Sequence, residues 1–151
     1  MTFRFQLWLR GLTMLLALQF LLGVWVGLFG TFPRTSSLKT ALTYSGDPAL
    51  TAHMLLAVVI VLVGFVVTVF AFGRDSPDPR LRWLLVGGLL STLFAYEWGV
   101  QLILADFDNN TDVFWMAVGF IAAVAFYGVA QTMVAASGSG RSRPLRPAKV
   151  A

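Results

Sequence analysis

The sequence predicts an all-α fold, a bundle of four transmembrane helices running up, down, up and down. Three observations carry that expectation. First, 58% of the 151 residues are hydrophobic and only 12% are charged, and the mean hydropathy is +0.78, a balance suited to lipid rather than to a water-soluble core. Second, four apolar runs each exceed the roughly 20 helical residues needed to cross a hydrocarbon core. Third, the basic residues alternate in density between the runs. Arg4, Arg10, Arg74, Arg80, Arg82, Arg141, Arg143, Arg146 and Lys149 all fall on one side, and only Arg34 and Lys39 of the eleven fall on the other. The positive-inside rule then places both termini in the cytoplasm.

The first run is uncharged from Gly11 to Pro33. Its apolar part is too long for a signal peptide and no small-x-small site closes it, so it reads as a permanent helix, about residues 8–30. The second run, Pro48 to Gly73, lacks Asp, Glu, Lys and Arg and predicts a helix over about 50–73. The third, about 81–105, carries Glu97 in its interior, and the fourth covers about 113–136. Trp8 and Trp83 stand near the inner boundary and Trp25, Trp98 and Trp115 in the outer part, as expected of interfacial aromatic belts.

The connections differ in kind. Arg74 to Arg80, with Pro77 and Pro79, predicts a short cytoplasmic turn. Asp106 to Asp112 predicts a tight outer turn, with Asp or Thr as the N-cap of the fourth helix. The outer loop after the first helix is longer, and its middle, Ser36 to Tyr44, predicts a short interfacial helix with Leu38 and Leu42 toward lipid, over the outer mouth of the bundle. The transmembrane domain is thus 1–136. Residues 137–151, rich in Ser, Gly, Pro and Arg, predict a disordered basic tail near anionic lipid.

Several chemistries are excluded at once. Without cysteine there is no disulfide, thiolate metal site or cysteine nucleophile, and a single histidine cannot build a zinc site. Phosphate loops and serine elbows are absent. The net charge of +4 lies beside the apolar runs rather than along a soluble face, which points to the membrane surface and away from nucleic acid. No catalytic residue is assigned, and the enzyme question stays open with the balance against it.

Helical spacing assigns faces. Gln19, Gly23, Gly27 and Gly30 form a stripe of small residues with one amide on the first helix, expected to pack on another helix. His53, Ala57 and Gly64 share a face of the second, and Glu97 and Gln101 lie one turn apart on the third. At about 1.5 Å per residue, His53 and Trp115 lie about 5 Å from the outer ends of their helices, Gln101 about 8 Å and Glu97 about 13 Å. Gln19, Glu97, Gln101 and Trp115 with His53 therefore read as one polar cluster in the outer half. Glu97 is expected to face inward, because a charged group exposed to lipid is costly. A faint internal repeat superposes helices three and four on one and two, as two similar hairpins, and puts Trp115 at the position equivalent to His53.

Leu18-Gln19-Phe20-Leu21-Leu22-Gly23, an outer loop, and then Thr51-Ala52-His53-Met54-Leu55-Leu56-Ala57 opening the second helix resemble one four-helix half of the haem A synthase family. In that family a histidine near the outer end of the second helix pairs with another on the fourth around a haem. The resemblance implies His53 as an axial ligand, whereas Phe114, Trp115 and Met116 stand where the second histidine belongs. Two readings follow. One is a non-catalytic accessory or assembly subunit of a membrane complex, meeting another membrane protein or a second copy of itself. The other is a membrane protein binding haem b through His53 alone, its second axial position open, taken by Met54 or Met116, or filled by another subunit. In the first, the small residues of the two stripes are filled by helix contact and by Trp25, Trp98 and Trp115. A third, weaker reading is a proton or small-molecule carrier using Glu97.

Overall fold

Each long helix carries a buried seam of residues spaced alternately four and three apart, the repeat that keeps that face turned to its neighbours in a left-handed bundle. On the first helix the buried seam is Phe5, Leu9, Leu12, Leu16 and Gln19; on the third, Ile60, Gly64, Val67 and Ala71; on the fourth, Leu81, Leu85, Gly88 and Thr92. On the fifth it runs through Ala123, Tyr127, Ala130 and Val134. The computed structural model describes residues 3–73 and 78–139. It contains α1 (Phe3–Phe29), a short α2 (Leu38–Leu42), α3 (Pro48–Phe72), α4 (Pro79–Leu104) and α5 (Asn110–Ser139), and no strand among the described residues.

α1, α3, α4 and α5 form a closed ring in which each helix touches two others, α1 beside α3 and α5, and α4 beside α3 and α5. All four are long and apolar enough to cross a membrane. This is the fold expected from the sequence, a bundle of an integral membrane protein. Its two ends are distinct. At the terminal end Gln6 Nε2 of α1 donates to the Val134 carbonyl of α5 at 3.4 Å. The other end, the loop end, holds α2 and the α4–α5 turn.

Most large apolar side chains point away from the core. Met14, Leu28, Leu62, Phe65, Leu90 and Ile121 are all more than half exposed, which in water would be a severe liability and in lipid costs nothing. The core itself is narrow and filled to its centre by Tyr127. This side chain is fully buried and crosses the bundle from α5, past α4, to α3. A Cβ added at Gly88 would lie 2.7 Å from its ring, and one at Gly64 would lie 2.8 Å from its hydroxyl. Two glycines on two helices thus make the slot for one tyrosine. Thr68 and Thr92 flank it with their hydroxyls turned back to their own helices, bonding the carbonyls of Gly64 and Gly88 at 2.8 Å each.

Helix ends are set by local chemistry. Asp47 caps α3, its Oδ1 accepting from Ala49 N at 2.9 Å and Leu50 N at 3.2 Å, and Pro48 at the first helical position has no N–H to satisfy. Its Oδ2 accepts from Thr31 N at 3.0 Å, so one nearly buried carboxylate ties the exit of α1 to the entry of α3. Asp78 and Pro79 open α4 in the same manner, with Arg80 N donating to Asp78 Oδ1 at 2.9 Å. α4 ends in a Schellman turn: Asp106 N bonds Ile103 O at 3.1 Å and Phe107 N bonds Leu102 O at 2.9 Å. Asp106 and Phe107 both take left-handed φ values, 57° and 60°. An aspartate tolerates this conformation, while for a phenylalanine it is strained, and the Phe107 ring is held by Phe32 at 4.9 Å between centroids.

Several expected details are corrected. α1 begins at Phe3 rather than near residue 8, and α5 runs from Asn110 to Ser139, starting before Val113 and continuing past Ala136. The cap before α5 comes from neither Asp nor Thr: Asn109 Oδ1 accepts from Thr111 N at 3.0 Å. α2 is only Leu38–Leu42 and turns a fully buried Ala41 inward, with Leu38 exposed and Leu42 half-buried, and it touches α3 and α4. The turn at Arg74, Asp75, Ser76 and Pro77 and the tail at 140–151 lie outside the described residues.

Two stability predictions follow. Gly88→Ala forces the Tyr127 ring out of a site with no free space and is expected to cost about 1–3 kcal/mol, read as a lower unfolding midpoint in detergent, whereas Gly11→Ala, with nothing within 4 Å, should not lower it. Asp47→Ala removes a cap and leaves Thr31 N–H without its acceptor, an expected loss of about 1–3 kcal/mol, and Asp47→Asn should recover only part of it, since its single amide oxygen can keep the cap while its NH2 cannot accept from Thr31 N.

Candidate functional site

The polar residues expected to gather in one outer cluster divide between two places. Gln19 and His53 meet between α1 and α3, near the loop end. Glu97, Gln101 and Trp115 belong to the α4–α5 side.

His53 lies one turn into α3, after the Asp47 cap. Gln19 Nε2 donates to His53 Nε2 at 3.3 Å, and Gln19 is 9% exposed. A Cβ on Gly23 would lie 3.0 Å from His53 Cε1, 3.6 Å from Nδ1 and 3.9 Å from Nε2. The Cε1 edge of the ring therefore lies close against α1 at Gly23, where an added Cβ would force the ring to give by a few tenths of an ångström. His53 Nδ1 and Gln19 Oε1 are buried without a partner among the described residues, so this contact is held by packing as much as by its one hydrogen bond.

That geometry does not fit a haem. Nε2 is taken by Gln19 and Nδ1 is buried, so neither ring nitrogen is open to an iron. Trp115, the counterpart of His53 in the repeat, is more than a third exposed and lies against α4, stacked on Trp98 at 6.3 Å and edge-on to Phe94 at 6.2 Å between centroids. Trp25 is also exposed, its ring beside Phe29. The small residues are filled instead by His53 at Gly23 and by Tyr127 at Gly64. On α1 the buried position after Gly23 is Val26, and Gly27 is exposed with nothing within 4 Å, so the stripe continues through Val26 to Gly30. Among the described residues no three His, Cys, Asp or Glu side chains gather closely enough to hold a metal ion.

Glu97 overturns its expected placement: it is exposed on the outer side of α4. Gln101, also exposed, donates from Nε2 to Glu97 Oε1 at 2.8 Å. Around this pair lies an open groove of about 620 Å³. Its long wall is one face of α4, from Phe94 through Trp98 to Ala105, and its loop-end wall is Asn109 and Asp112. Asp112 is 4% exposed and sits in the first turn of α5, where a carboxylate complements the positive end of the helix dipole. The sequence marked Asp112 only as a loop acid. Its position three residues after the Asn109 cap was the available signal.

Comparison with family models, curated proteins and solved structures returned no match. The likeness to half of a haem A synthase therefore rests on the residues quoted for it.

If His53 is a packing residue, Gly23→Ala is expected to lower thermal stability by about 1–2 kcal/mol, and the same change in a His53→Ala background should be nearly harmless, since the ring it would strike is gone. Equal losses in both backgrounds would contradict the contact. The purified protein should show no Soret band dependent on His53, and a red preparation that His53→Ala bleaches would restore the haem reading.

Proposed function

We propose that this chain is a non-catalytic subunit of a membrane complex, an accessory or assembly component that acts by side-to-side contact within the bilayer. The observation that carries this reading is the Glu97–Gln101 pair, hydrogen bonded at 2.8 Å on an exposed face of a helix built to span the membrane. A carboxyl and an amide turned toward lipid are costly, and polar residues within spans otherwise face a partner or a cavity. Among the described residues the interior offers no competing site: the centre is filled by Tyr127, and the one histidine is packed on α1. The distribution of charge supports cytoplasmic termini, since Arg10, Arg80 and Arg82 stand at the terminal end and Arg34 and Lys39 at the loop end.

Gently solubilised native membranes should release the chain in an assembly larger than one copy. Leucine at both Glu97 and Gln101, which leaves the core untouched, should shift it to the size of the single chain. A wild-type protein that already migrates as one chain would sink the proposal. For orientation, reporters fused after Ala151 and within residues 31–48 should report opposite sides of the membrane, with the Ala151 fusion cytoplasmic, and reports from one side would refute the map.

A further inference from the structure

The groove beside Glu97 has a regular wall. Phe94, Trp98, Gln101 and Ala105 follow one another at spacings of four, three and four, the repeat of a seam that receives a parallel helix. Glu97 and Leu104, seven residues apart, flank it. α4 thus carries two seams on different faces. Leu81, Leu85, Gly88 and Thr92 turn inward and are buried within the bundle, whereas the second seam is only partly covered: Phe94 and Trp98 touch Trp115 of α5 along one side, while Phe94, Gln101 and the flanking Glu97 and Leu104 remain exposed.

We infer that the second seam receives α4 of another copy of this chain, the two helices lying parallel and in register across a two-fold axis along the membrane normal. This rests on the reading of the chain as a contact subunit and names its partner. Three observations favour a second copy. A parallel, in-register pair sets each layer of a four-three seam against the same layer of the partner, and two copies inserted in the same way meet that condition without adjustment. The polar layer then meets a polar layer at the same depth, where any other helix would need a polar group placed there by coincidence. Finally, the pair is self-complementary. Gln101 gives one N–H to Glu97 and keeps a second N–H and its carbonyl oxygen, while Glu97 keeps its other oxygen. Each copy can donate the spare amide proton to the other copy's spare acceptors, as a two-fold interface requires.

The absence of cysteine from the sequence allows a direct test. Ala105→Cys places a single thiol on the seam, and Gly27→Cys places one on α1, which does not touch α4, at a position with nothing within 4 Å. Each variant is purified and reconstituted in lipid vesicles at low protein density before oxidation. Ala105→Cys is expected to form a disulfide-linked dimer and Gly27→Cys to remain single. Adding leucine at both Glu97 and Gln101 should raise the density needed for half-maximal crosslinking roughly threefold to tenfold, the size of interhelical hydrogen bonds in lipid. Glu97→Gln, which keeps the hydrogen bonding, should leave it near the parent value. An unchanged unfolding midpoint in each variant shows that the fold has survived. Equal crosslinking at both positions, or none at Ala105→Cys, overturns the second copy. If the native assembly nevertheless persists and dissolves on leucine substitution, the partner is a different protein and the subunit reading stands. If native membranes yield only single chains, that reading falls as well.

Discussion

Tyr127 reaches across the bundle axis, and the packing of three of the four spanning helices depends on the space it takes. Its ring lies against Gly88 on α4 and its hydroxyl against Gly64 on α3, both inside the distance that any larger residue would need. A membrane bundle gains no hydrophobic stabilisation from bringing apolar helices together, because lipid is as apolar as leucine. Close packing has to supply what burial supplies in water. One large, rigid side chain in a slot made by two glycines provides many contacts at a fixed separation, and the leucine seam of α1, from Leu9 to Leu16, closes on the same core. The seams at spacing four and three then fix which residues of each helix can approach.

The loop end is organised by hydrogen bonds rather than by packing. Asp47 binds the end of α1 and the start of α3 with a single carboxylate, and the strained turn after α4 is clasped to the loop after α1 by Phe107 on Phe32. Both devices hold the α1–α3 connection close to the bundle. They also keep the entrance to α3, and with it His53, fixed relative to α1, so that the imidazole edge meets Gly23. The histidine thereby makes a structural contact between α1 and α3.

The number of helices, their order and their approximate limits were legible in the sequence, because an uncharged run longer than a bilayer is thick has one physical interpretation. The faces were much less legible. In a soluble helix the polar side marks the surface, but here the outer surface is as apolar as the core, so Leu62 and Leu85 look alike in sequence while one faces lipid and the other is fully buried. Small residues proved the better guide. Gly23 and Gly64 were recognised as contact positions and both are, although the residues that fill them, His53 and Tyr127, were not foreseen. Nothing local distinguishes Tyr127 from Tyr96, which is only half-buried. Its role appears only when the glycines of two other helices are placed beside it.

Glu97 shows where the same reasoning failed, since its side chain is exposed rather than turned inward. The rule that an ionisable residue within a span turns away from lipid holds for the assembled protein, and a single chain satisfies it only when that chain is the whole assembly. The bundle has a complete inner seam on α4 at Leu81, Leu85, Gly88 and Thr92. Rotating the helix to bury Glu97 would withdraw those residues from α3 and α5 and remove Gly88 from beneath Tyr127. Packing of the interior therefore outweighs the cost of an outward carboxyl, and that cost is transferred to the surface. There a carboxyl at that depth disfavours lipid and favours any neighbour able to hydrogen bond with it, which is the basis of the proposed assembly.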